Sequence, residues 1–109
     1  MFSDQIAILR DNGKGMHAYR KFAQTAYNAA KQNPDHAAAY MLIASAADGF
    51  LQSNERMPIS VVELDEVFNV FNGFAKVLTD AFSRDDATKQ IRALNSIAGS
   101  VAERGWMVA

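Results

Sequence analysis

The sequence predicts an all-α fold, a compact helical bundle of four long helices preceded by a short N-terminal one. Alanine, the strongest helix former, supplies 19 of the 109 residues. Apolar residues recur at three- and four-residue intervals in every long segment, and none keeps the period of two that a half-buried strand requires. Both prolines, Pro34 and Pro58, stand at the borders of such segments, as does the Asn12-Gly13 pair.

Taken in chain order, the first helix is expected over Asp4 to Arg10, with Ser3 as its N-cap and Phe2, Ile6 and Leu9 on one side. Asp11-Asn12-Gly13-Lys14-Gly15 ends it in a turn. The second helix runs from Met16 to Gln32. Met16, Tyr19, Phe22, Ala23, Ala26, Tyr27, Ala29 and Ala30 fill one half of its circumference. His17, Arg20, Lys21, Gln24, Asn28 and Lys31 fill the other, the pattern of a surface helix. Asn33-Pro34-Asp35 stops it, because a residue before proline avoids the α region. The third helix spans Asp35 or His36 to Gln52, carries no lysine or arginine and is apolar nearly all round, so it is expected to be the most buried. The stretch from Ala29 through Asn33-Pro34-Asp35-His36 to Tyr40, Ile43 and Ala44 resembles the junction between tetratricopeptide repeats. That resemblance covers under 20 residues and no second copy follows, so it implies no repeat architecture.

Ser60-Val61-Val62-Glu63 matches the capping box, and Glu63, Asp65 and Glu66 put negative charge where the helix dipole favours it. The fourth helix therefore starts at Ser60 and continues to Phe82. Leu64, Phe68, Phe71, Ala75, Leu78 and Phe82 form a heptad seam. Val67, Val70, Phe74, Val77 and Ala81 widen it to an apolar arc of roughly 200° at 100° per residue. The fifth helix follows Asp85-Asp86 and ends near Arg104 before Gly105, with Ala87, Ile91, Leu94, Ile97, Ala98 and Val101 expected inward. Trp106-Met107-Val108 leaves an apolar tail in need of a docking place.

One core is what a chain of this length builds, so residues 1–109 read as a single helical-bundle domain. A formal charge of -1 gives no field to draw in nucleic acid or anionic lipid. The absence of cysteine excludes disulfides, thiolate metal sites and a cysteine nucleophile. Ala37 to Ala47, the longest stretch free of charge and histidine, is too short to cross a bilayer, and Phe2-Ser3-Asp4 does not begin a secretory signal. A soluble cytoplasmic protein is expected, with no nucleic-acid or membrane partner.

Reactive constellations are not legible. His17 lies on a polar face and His36 at a helix start, and neither has a Glu-x-x-His or His-x-x-x-His neighbour, so no metal and no cofactor is expected. No serine stands in a Gly-x-Ser-x-Gly turn. Arg10, Lys14, His17, Arg20 and Lys21 form a modest basic cluster suited to steering an acidic protein partner. Asp48, on the most apolar helix, is either a rim carboxylate or a buried one paired with an arginine or a tyrosine hydroxyl. The expected function is a non-enzymatic, regulatory interaction protein, an adaptor or inhibitor. It is expected to self-associate as a homodimer through the apolar face of the 60–82 helix, with Val67, Val70, Phe71, Phe74, Val77 and Trp106 at the interface. The alternative is a small-molecule binder or enzyme whose inter-helix pocket is anchored by Asp48.

Overall fold

A computed structural model describes residues 2–55 and 57–107. It contains α1 (Phe2–Asp11), α2 (Met16–Gln32), a 3₁₀ turn (Pro34–His36), α3 (Ala37–Asn54), α4 (Val61–Phe82) and α5 (Ala87–Arg104), with no strand among the described residues. This is the expected helical bundle, four long helices and a short one, with extents of 42 × 27 × 23 Å. The helices touch in a closed cycle, α1 to α2 to α3 to α5 to α4 and back to α1, and the core lies inside that ring. Phe2 against Phe82 at one end and Lys14 over Phe68 at the other make α1 antiparallel to α4.

Local signals account for most boundaries. Ser60 Oγ accepts the Glu63 backbone N–H at 3.1 Å, and the Ser60 hydroxyl donates to the Glu63 carboxylate at 3.2 Å, so the cap closes through the side chains. Asp86 caps α5 in the same way by accepting the Lys89 backbone N–H at 3.2 Å. Gly105 adopts a left-handed φ of 71°, which lets Trp106 N–H reach back to the Val101 carbonyl at 3.1 Å and turns the chain toward the core.

Other expectations need correction. Ser3 is not a cap: α1 already includes Phe2, whose wholly buried ring lies 4.9 Å from that of Tyr40 and holds the first turn in place. Pro34–His36 forms a 3₁₀ turn, and α3 starts only at Ala37. On α5 the inward stripe is narrower than expected. Ala93, Ile97 and Val101 are buried, whereas Ala87, Ile91 and Ala98 face solvent. A helix that packs chiefly on one neighbour hides only one narrow stripe.

The core has two aromatic groups. At one end the Phe2 ring meets those of Tyr40, Phe82 and His36, and His36 also lies against Phe82. In the middle, Tyr19 and Phe22 of α2 meet Phe50 of α3 and Phe71 of α4. Trp106 closes the second group, stacked on Phe71 with centroids 5.3 Å apart and edge-on to Phe50. Its backbone crosses α3 at Gly49, where any Cβ would collide with the Trp106 carbonyl, so only glycine leaves the slot open. The apolar tail thus docks on its own chain through Trp106; Met107 is exposed, and Val108 lies outside the described residues.

Candidate functional site

The residues expected at a protein interface divide into two sets. Phe71, Phe74 and Trp106 are 1%, 8% and 7% exposed and are enclosed by the chain itself, which corrects their assignment to a partner surface. The arc on α4 is wide, but α1, α5 and the Trp106 ring cover most of it, and each aromatic ring finds its partners within the chain. Val67 and Val70 are half-buried, and Val77 remains 43% exposed.

Val70 and Val77 line a groove of about 310 Å³ between α4 and α5. Its walls include Gly73 and Phe74 from α4, and Ser96, Ile97 and Ser100 from α5, with Asn69 and Arg104 at one end. The groove exists because α5 sets serines opposite α4, and because Gly73 offers no side chain. Nothing lies within 4 Å of where a Gly73 Cβ would stand. Close to that end, the Arg104 guanidinium sits 5.4 Å over the Trp106 ring.

Asp48 is half-buried at the seam between α2 and α3, and the Tyr27 hydroxyl donates to its Oδ2 at 2.7 Å. Both sequence readings hold in part: it is a rim position with a tyrosine partner. Burial, followed by the hydrogen bond to Asp48, holds the Tyr27 phenol above its ordinary range. A half-buried, charge-assisted bond of this kind contributes about 1 kcal/mol. With Arg20, Ala23 and Gln24 the pair lines a dent of about 370 Å³. No cluster of three or more potential metal ligands occurs among the described residues, and His17 is exposed. Nor is any helix among them long and apolar enough to cross a membrane.

Three features lay outside the sequence reading. Tyr19, wholly buried, leaves its hydroxyl without a hydrogen-bond partner among the described residues, as does the side-chain oxygen of buried Gln5. Gly49 takes the close approach of the Trp106 backbone. A helix-interior glycine beside Asp48 was the available signal, since such a residue costs about 1 kcal/mol against alanine and calls for a packing reason. The third feature is a larger groove of about 490 Å³ between α1 and α4, lined by Ile6, Arg10, Ala75 and Lys76 among others.

No protein-family model, no curated protein and no solved structure matches the chain.

Proposed function

We propose that the protein is a non-enzymatic interaction module that pairs with a second copy of itself through the groove side of α4. The observation that carries this reading is the Val70-Gly73-Val77 stripe, which leaves Val77 43% exposed beside the open space at Gly73. Gly73 lies three residues after Val70 and four before Val77, so all three share one helix face. Crossing two such helices antiparallel at Gly73 sets Val70 of one copy against Val77 of the other. A bare glycine at the crossing lets the helix axes approach. The surface is therefore self-complementary about a twofold axis, the commonest arrangement of homo-oligomers.

The stripe is short, and standard stable interfaces bury about 800 Å² per partner. A reversible dimer with a dissociation constant on the order of 10–100 µM is expected from a surface at the small end. Sedimentation equilibrium tests this directly, with Val70→Glu/Val77→Glu as the monomeric control. The chain has no cysteine, so Gly73→Cys offers a sharper test. Mild oxidation should give a disulfide-linked dimer at position 73 and none for Ile91→Cys, on an exposed face of α5. A wild-type chain that stays monomeric at 500 µM, or equal cross-linking at both positions, removes this reading.

A further inference from the structure

The chain holds two Asn-Gly pairs, Asn12-Gly13 and Asn72-Gly73, and the fold places them in opposite circumstances. Asn72-Gly73 lies inside α4, where the Gly73 N–H belongs to the helical ladder and the ψ of Asn72 is held near its helical value. Asn12-Gly13 lies in the turn between α1 and α2. There Gly13 is exposed, with a left-handed φ of 86° and nothing within 4 Å of where a Cβ would stand. Its N–H has no hydrogen-bond acceptor among the described residues. Asn12 is half-buried, and its Nδ2 donates to the Ile8 carbonyl at 2.7 Å. The same carbonyl accepts the Asn12 backbone N–H at 3.2 Å. The Asn12 side chain thus latches the end of α1, while the nitrogen that follows it in the chain is unengaged.

We propose that Asn12 is a self-modification site, whose deamidation through a cyclic imide unlatches the end of α1. The Gly13 nitrogen attacks Asn12 Cγ and a C–N bond forms. The Cγ–Nδ2 bond breaks, and ammonia leaves with the proton given up by the Gly13 nitrogen. Water then opens the imide at either carbonyl, its hydroxyl going to the carbon and its hydrogen to the nitrogen, which yields aspartate or isoaspartate. Glycine at position 13 favours the attack, because no side chain crowds the nitrogen and the backbone turns freely there. In α4 the same closure requires the Gly73 hydrogen bond to break and the helix to open first. The product puts a carboxylate, which cannot donate, where Nδ2 met the Ile8 carbonyl. Negative charge at a helix C-terminus also opposes the dipole, and Asp11 adjoins it with a like charge.

The test incubates the full chain in mildly alkaline buffer at body temperature and follows both Asn-Gly pairs by peptide mapping and mass spectrometry. In the folded chain Asn12 should convert roughly tenfold faster than Asn72, which waits on local opening of α4. In guanidinium chloride the two should convert at similar rates, which makes the difference a property of the fold. Isoaspartate should appear beside aspartate, since the cyclic imide yields both and direct hydrolysis of the amide yields aspartate alone. Asn12→Asp supplies one product directly and should melt a few degrees below the wild type, with faster hydrogen exchange at the end of α1. Equal rates at the two pairs in the folded chain, conversion without isoaspartate, or no conversion of folded Asn12 in the time that the denatured chain converts would each overturn the assignment. An Asn12→Asp chain that melts with the wild type would overturn the unlatching.

Discussion

The α2–α3 hairpin and the α4–α5 pair are both antiparallel helix pairs joined by short connections, yet they pack in different ways. Along α2 and α3 the buried positions are largely alanine: Ala23, Ala26 and Ala30 on one helix, and Ala39, Ala44, Ala46 and Ala47 on the other. They form the most extensive helix–helix contact in the molecule. Small side chains let two helices close on each other over most of their length, and the dent at Tyr27 and Asp48 lies at the rim of that seam. On α4 and α5 the pattern is Phe74, Leu78 and Ala81 against Ala93, Ile97 and Val101, flanked by Ser96, Ser100 and Gly73. Large residues there set the spacing, small ones fail to fill it, and a groove remains. Helix–helix contact is thus most extensive in the first pair, whereas the second leaves the Val70-Gly73-Val77 stripe beside its groove.

Substitutions that exploit this difference follow in order of size. Gly49→Ala should have the largest effect, because a methyl there evicts the Trp106 backbone from its slot on α3. Losing that ring from the core is expected to cost about 3 kcal/mol, comparable to truncating a buried aromatic. Tryptophan fluorescence should shift to the red, since Trp106 is the sole tryptophan. An unshifted spectrum would mean that the segment after α5 does not seat as described. Ala26→Leu tests the alanine seam itself. It adds volume where α2 is wholly buried and should cost about 2 kcal/mol in urea unfolding, the usual range for overpacking. A neutral result would place slack in the hairpin and remove the contrast.

Tyr19→Phe reports on the core that the two pairs share. Deleting a buried hydroxyl that has no partner should raise stability by about 1 kcal/mol at neutral pH. The pH dependence fixes the sign. Burial raises the Tyr19 phenol above its ordinary value of 10.0, so the folded state keeps its proton when the unfolded chain ionises. Stability is level with respect to this group below pH 10 and falls as pH rises beyond it. Tyr27 adds a loss of the same sign. Unfolding of Tyr19→Phe across pH 9 to 11.5 should show a shallower decline than the wild type; parallel curves would show that this phenol is not the group responsible. Gly73→Ala completes the series with the smallest change. The position is open and helical, so it should gain roughly 0.7 kcal/mol from propensity alone. Thermal unfolding of a dilute sample, to keep self-association out of the measurement, gives that figure; a loss would show that a methyl does not fit the groove.

Legibility in the sequence followed the range of the forces involved. Ser60, Asp86 and Gly105 act within one turn of chain, and each was readable from its neighbours. The polar face of α2 was equally plain, since His17, Arg20, Lys21 and Gln24 repeat at helical spacing and all are exposed. Coverage of an apolar face is a tertiary property. The arc of α4 covers roughly 200° at 100° per residue, but the pattern does not say that Tyr19 and Phe22 of α2 and the Trp106 ring meet Phe71. The narrow stripe on α5 was hidden for a related reason: Ala93 and Ala98 look alike in sequence, and only the position of α4 decides which is buried. Grooves were least legible, because Ile6, Arg10 and Lys76 lie far apart in the chain and meet only once α1 lies along α4.

Trp106 gives the bundle a definite order of completion during synthesis. Helices α1 to α4 leave the ribosome first, carrying Phe50 and Phe71 with one wall of their aromatic cluster missing. Until the glycine at position 105 has turned the nascent chain back and delivered the indole, those rings stay accessible to solvent and to chaperones that bind exposed apolar segments. Final consolidation of the core therefore waits on a single side chain synthesised after every helix it joins.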